Sequence, residues 1–180
     1  MLRQKNHHEI YIDKDGIWYF RGAEMERRDI VQYFYRYLRK DREGKYLVEI
    51  GDDRCYVDVE DAPYVIRSVS VGFSQSASQP YVELSLSDGS NEMLNLSTPL
   101  RIGNDHVLYC RVKRGEYEAR FSRPAYYQFC EHIVYDSRSE KYLLILKQHS
   151  YSLVLTESAN GKTRHTDREL QTQCKWRFKC

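Results

Sequence analysis

The sequence predicts an α+β protein built by internal duplication, with two similar β-α-β-β halves, each an antiparallel sheet carrying one helix. Three observations point there. The stretch Arg27-Arg28-Asp29-Ile30-Val31-Gln32-Tyr33-Phe34 is echoed by Ser122-Arg123-Pro124-Ala125-Tyr126-Tyr127-Gln128-Phe129, with Arg28 on Arg123 and Phe34 on Phe129, each 95 positions apart. Before the helix, Ile12, Asp15, Tyr19 and Arg21 match Ile102, Asp105, Tyr109 and Arg111 at an offset of 90. After it, Lys45-Tyr46-Leu47 matches Lys141-Tyr142-Leu143 at 96, and Tyr56 and Val59 match Tyr151 and Val154 at 95. Each change of offset falls between expected elements, where insertions are tolerated. The expected organisation is a first half at 1–73, a second at 80–158 and a polar tail at 159–180.

Each element has a local cause. Ile10-Tyr11-Ile12 and Ile17-Trp18-Tyr19-Phe20-Arg21 flank Asp13-Lys14-Asp15-Gly16, whose Asp-Gly pair signals a hairpin turn. A helix is expected over Arg28 to Leu38, because Ile30, Val31, Phe34 and Leu38 recur at helical spacing as one apolar stripe. Asp29 suits its positive end, and Gly44 is available as a left-handed cap. Tyr46–Ile50 and Cys55–Val59 read as a second strand pair around Gly51-Asp52-Asp53. Tyr64–Val71 is β-branched, and Ser74–Pro80 is a polar loop and the expected boundary between halves. Val82, Leu84 and Leu86 alternate with polar residues, and Asp88-Gly89 turns the chain into a strand holding Leu94 and Leu96. The second copy has its inserted residues at Lys113-Arg114-Gly115, a hairpin turn. Its helix is expected over Pro124 to Tyr135, and Leu143-Leu144-Ile145-Leu146 reads as a strand covered on both faces. Thr166-Asp167-Arg168-Glu169 has capping-box spacing, so the tail is either a short helix or loose.

Composition narrows the function. The chain has 180 residues, with 28 basic and 26 acidic ones. That balance argues against nucleic acid or an anionic membrane as a partner. No apolar run reaches the roughly 20 residues of a membrane span, and Met1–His8 lacks the apolar stretch of a secretory signal. Five cysteines without a CxxC pair (Cys55, Cys110, Cys130, Cys174, Cys180) read as reduced thiols, so a cytoplasmic location is expected. The sixteen tyrosines fit half-buried strands better than base stacking, since no basic stripe accompanies them.

The chemistry-bearing residues are few. Two copies packed around a shared interface would leave a cleft, a common kind of ligand site. Arg28 and Arg123 open the two helices, where a cation opposes the dipole and needs compensation. A carboxylate from Glu60 or Asp61 supplies it most cheaply, with Arg28 and one of these two as a buried pair; an anionic ligand is the other solution. Alternation sends Glu60 and Asp61 to opposite faces, which argues against a shared catalytic dyad. Trp18 and Tyr46 could stack on a planar ligand, although aromatics of this kind are more often core. His106, His132 and His149 lack ligand spacing, so no metal is expected. GxGxxG and GxxxxGK[ST] are missing, and Gly72-Phe73-Ser74-Gln75-Ser76 lacks the second glycine of a nucleophile elbow. The expected site is therefore a ligand-binding one, without catalytic residues or an identified cofactor, made of Arg28, Trp18, Glu60, Asp61, Arg123 and Tyr46. The alternatives are a small enzyme with Glu60 or Asp61 as general base, and a protein-interaction module or homodimer.

Asp15-Gly16, Trp18, Gly22, Arg28, Phe34, Leu38, Gly44, Tyr46 and above all Val59-Glu60-Asp61-Ala62-Pro63-Tyr64 resemble the bacterial family called domain of unknown function 1285. Pro99-Leu100-Arg101, Ser122-Arg123 with Tyr126-Tyr127, and Ser150-Tyr151 extend the resemblance over residues 9 to 155. Ile50-Gly51 stand where that family often has Thr-Pro. The resemblance implies a duplicated α+β fold with a pleckstrin-homology-like second half. It also implies a ligand site between the halves, an unidentified small molecule as partner, and a part in signal transduction with a signalling protein. It implies no catalytic residues.

Overall fold

The computed structural model describes residues 9–74, 79–103 and 106–157. The readings of Met1–His8, the capping box at 166–169, Cys174 and Cys180 lie outside them. The described residues form two compact units, 9–65 with 87–90 and 66–86 with 91–157. Both are mixtures of strands with one helix, so the chain is α+β.

In the first unit, strands β1 (Ile10–Ile12), β2 (Trp18–Phe20) and β3 (Ala23–Glu24) precede helix α1 (Arg28–Tyr37). Strands β4 (Leu38–Lys40), β5 (Tyr46–Ile50) and β6 (Asp53–Val59) follow it, in the sheet order β3-β2-β1-β6-β5-β4. The first hairpin forms as its turn residues dictate. Asp13 Oδ1 accepts the N–H of Asp15 at 2.9 Å and of Ile17 at 2.8 Å, and Gly16 takes φ 76°, which glycine adopts without strain. The expectation of a purely antiparallel sheet fails at one place. β1 runs parallel to β6, with Ile10 opposite Val57 and Ile12 opposite Val59.

The second unit contains the rest of β7 (Tyr64–Ser74), then β8 (Gln79–Leu86), β9 (Asn91–Met93), β10 (Leu100–Ile102), β11 (Leu108–Val112) and β12 (Tyr117–Phe121). Helix α2 (Arg123–Cys130) is followed by β13 (Ile133–Asp136), β14 (Lys141–Leu146), β15 (His149–Ser152) and β16 (Leu155–Glu157). These strands make one sheet of order β16-β10-β11-β12-β7-β8-β9 and another of order β13-β14-β15. β7 and β8 are antiparallel, and Ser74 at the end of one pairs with Gln79 at the start of the other.

Several strand pairings of the first unit have counterparts of matching register in the second. Ile12 faces Trp18 as Ile102 faces Leu108, and Tyr11 faces Tyr19 as Arg101 faces Tyr109, at the offset of 90. Leu38 faces Val48 as Ile133 faces Leu144. β10 runs parallel to β16 as β1 does to β6. Three strands flank each side of α1, so the first unit is richer than the expected β-α-β-β. The last strand corrects the sequence alignment. Val48 pairs with Cys55 and Leu144 pairs with Tyr151, so the residue equivalent to Tyr151 is Cys55 and not Tyr56. Leu153 and Val154 then interrupt the strand before Leu155 resumes it opposite Leu100.

Other expectations shift by a residue or more. The buried side of α1 is centred on Tyr35, with Val31 and Phe34 half-buried and Ile30 exposed. Tyr35 can be buried because its hydroxyl donates to the Pro63 carbonyl at 3.1 Å and bonds Ser87 Oγ at 2.8 Å. α1 ends one residue early, since Leu38 is extended (φ −68°, ψ 127°) and starts β4. Gly44, at φ 82°, therefore turns β4 into β5 and does not cap a helix. α2 stops at Cys130, because Ile133-Val134-Tyr135 is β-branched and aromatic and pairs with β14. β14 is not covered on both faces: Tyr142, Leu144 and Leu146 are buried, whereas Leu143 and Ile145 are only half-buried.

Candidate functional site

The expected site residues in the first unit divide into core and surface. Trp18 is 1% exposed. Its ring lies 5.9 Å from that of Phe34 and meets Tyr35 edge-on at 5.0 Å. Tyr35 in turn stacks on Tyr64 at 5.0 Å. Trp18 thus has no open face for a ligand and serves as the core of this unit. Its buried Nε1 has no hydrogen-bond partner among the described residues. Tyr46 is half-buried, with Lys40 Nζ 5.1 Å above its ring, so a cation of the chain itself occupies the face expected to stack on a ligand.

The expected buried pair between Arg28 and a carboxylate does not form. Arg28 is the first residue of α1 and is exposed. The carboxylate of that turn, Asp29, is held by Arg27 at 2.6 Å. Glu60 is exposed, and its Oε2 accepts from the Tyr11 hydroxyl at 2.7 Å and the Lys14 N–H at 3.0 Å. Asp61 is exposed beside it, while Ala62, Pro63 and Tyr64 are buried. The Glu60–Tyr64 element thereby ties two things down. Its carboxylate fastens the turn after β1, and its Pro63 carbonyl anchors α1 through Tyr35. Arg123 lies in the second unit, also exposed and first in its helix; Ser122 Oγ caps that helix by accepting the Ala125 N–H at 3.4 Å. Among the described residues no three His, Cys, Asp or Glu side chains are grouped to hold a metal, and no helix is long and apolar enough to cross a membrane.

Burial, followed by the hydrogen bond and charge of Glu60, pushes the Tyr11 phenol from 10.0 up to about 12. The folded chain therefore holds this proton more tightly than the unfolded chain does. The resulting stabilisation is complete below about pH 10 and disappears as pH rises through 12. Cys110, whose thiol burial pushes up to about 12, acts in the same direction. Tyr11→Phe is accordingly expected to flatten part of the fall in melting temperature between pH 10 and 12, measured by circular dichroism. An alkaline limb identical in variant and parent would refute the assignment.

An opening that a ligand could enter lies in the second unit, beneath α2. Leu100 and Ile102 of β10, Leu108 of β11, Tyr126, Phe129 and Cys130 of α2, Ile133, Tyr142, Leu153 and Leu155 line it. It holds about 370 Å³ of empty space counted out to solvent, with about 20 Å³ of interior room for a water-sized sphere. That interior is slightly more than one water needs, roughly 10–15 Å³. At the offsets read in the sequence, two of its lining positions carry smaller side chains than their counterparts in the first unit. Leu108 stands where the first unit has Trp18, and Cys130 where it has Tyr35. Two large aromatics are replaced by two small side chains while Ile102 and Phe129 match Ile12 and Phe34. None of the residues expected to bind a ligand lines this pocket. The signal that could have found it was the loss of side-chain volume at two aligned positions.

Residues 3–62 match the family model described as domain of unknown function (DUF1285), N-terminal domain. Two solved structures are similar to the chain. A DUF1285 family protein from Silicibacter pomeroyi DSS-3 is 20% identical with a TM-score of 0.65, over 82% of this chain and 80% of that one. A DUF1285 family protein from Shewanella baltica OS155 is 21% identical with a TM-score of 0.53, over 69% and 91%. At such identities the likeness speaks for the fold. No match is found among curated proteins.

Proposed function

We propose, from the premise that the chain belongs to the DUF1285 family through its N-terminal domain at residues 3–62, that it is a duplicated, non-catalytic module that binds a small molecule in the pocket beneath α2. Common ancestry of the two units is part of this reading. It is supported by the matching pairs Ile12–Trp18 and Ile102–Leu108, and by the parallel closing strands of both units. One copy has its interior filled by Trp18 and Tyr35, and the other has it open at Leu108 and Cys130. That single contrast carries the functional reading. A ligand bound there stabilises the unit that holds it, which is what a sensor in a signalling chain requires.

Restoring the missing volume tests the idea. Leu108→Trp places an indole where the first unit has Trp18 and is expected to block the pocket. It should also remove any apolar adduct that native mass spectrometry detects on the freshly purified parent. An adduct that survives in the variant would place the ligand elsewhere and overturn the proposal.

A further inference from the structure

We infer that the pocket beneath α2 receives the end of an unbranched alkyl chain and excludes rings, an inference that rests on the binding reading above. The lining fixes the chemistry first. Leu100, Ile102, Leu108, Phe129, Ile133 and Leu153 present only hydrocarbon, and no charged side chain lines the pocket. A ligand group with a charge or an unmet hydrogen bond would lose its hydration without replacement there. The inserted part is therefore hydrocarbon.

Volume then fixes the shape. An apolar cavity that takes up benzene has about 150 Å³. The interior room here is about 20 Å³. A six-membered ring does not enter without displacing a lining side chain such as Phe129, which is wholly buried. A terminal methyl and its neighbouring methylene are one carbon wide, and they enter end-on. The pocket is open to solvent at its mouth, so a polar head can stay hydrated outside. Those features describe a straight-chain amphiphile such as a fatty alcohol or fatty acid.

The test uses 1-butanol, 1-hexanol and 1-octanol against cyclohexanol and benzyl alcohol, read by methyl NMR shifts of Leu100, Ile102, Leu108 and Ile133 in the full chain. Affinity is expected to rise about fourfold per methylene, the worth of one buried CH₂, up to the length at which the pocket is full. Leu108→Trp should abolish the shifts at the remaining three reporters. Cys130→Tyr, which restores the other first-unit side chain, gives the same readout if the tryptophan does not fold. Ring alcohols binding as well as hexanol would overturn the alkyl inference and leave the binding reading intact. Straight and ring alcohols both leaving the parent's methyls unshifted would overturn both, and the pocket would then be a packing gap.

Discussion

Trp18→Ala is expected to lower the stability of the first unit by about 3–5 kcal/mol, the cost of deleting a large buried aromatic. Whole domains are stable by only 5–15 kcal/mol, so this one change should remove a large share of what holds the unit folded. The ring is 1% exposed, lies opposite Ile12, and packs against both Phe34 and Tyr35. Its loss removes one wall from each of these partners, and neither can follow it inward. Tyr35 is fixed by its bonds to Pro63 and Ser87. One effect works the other way. The buried Nε1 is unsatisfied among the described residues, at a cost of about 1–3 kcal/mol. Trp18→Phe should therefore be milder than its loss of volume alone implies. Urea unfolding followed by far-ultraviolet circular dichroism checks both variants. A loss below about 1 kcal/mol for the alanine variant would mean that the unit is not built around this ring.

Phe129→Ala is the counterpart in the second unit, with an expected loss of about 3–5 kcal/mol. Phe129 is 0% exposed, and its ring lies 5.4 Å from that of Phe121. It is also a wall of the pocket. Its removal should therefore do two things at once: weaken the unit, and enlarge the void until a benzene ring enters. Benzene is expected to raise the melting temperature of the variant and leave that of the parent unchanged. If benzene stabilises neither, the void has collapsed around the missing ring. Equal stabilisation of both would show that the parent already admits rings.

Much of this architecture was legible in the sequence because it is local. Asp15-Gly16 makes a turn wherever it falls between two apolar strands, and Pro124 fits only the start of a helix. The matched pairs at the offset of 90 reappear in the strand register, where Tyr11–Tyr19 and Ile12–Trp18 pair as Arg101–Tyr109 and Ile102–Leu108 do. The final strand was misaligned for a physical reason. With sixteen tyrosines in the chain, matching Tyr56 to Tyr151 carries little information, whereas hydrogen-bonded register equates Tyr151 with Cys55. The parallel closure of β1 on β6 was not legible, since nothing in three residues names a partner 47 positions away. Nor were the roles of Arg28 and Glu60. Sequence gives their charge, but whether a buried partner claims that charge depends on neighbours such as Arg27 and Tyr11, which solved the problem more cheaply at the surface.

That same closure bears on how the chain acquires its structure. Ile10 meets Val57 in the first unit, and Leu100 meets Leu155 in the second. Neither sheet is complete until its last strand has been made, and each must close a loop of some fifty residues to get there, an entropic toll that slows the search. During synthesis each opening strand therefore waits with an unsatisfied edge, a template for stray pairing with another nascent chain. Expression at lower temperature or from a weaker promoter, which thins the population of waiting chains, should accordingly raise the soluble yield.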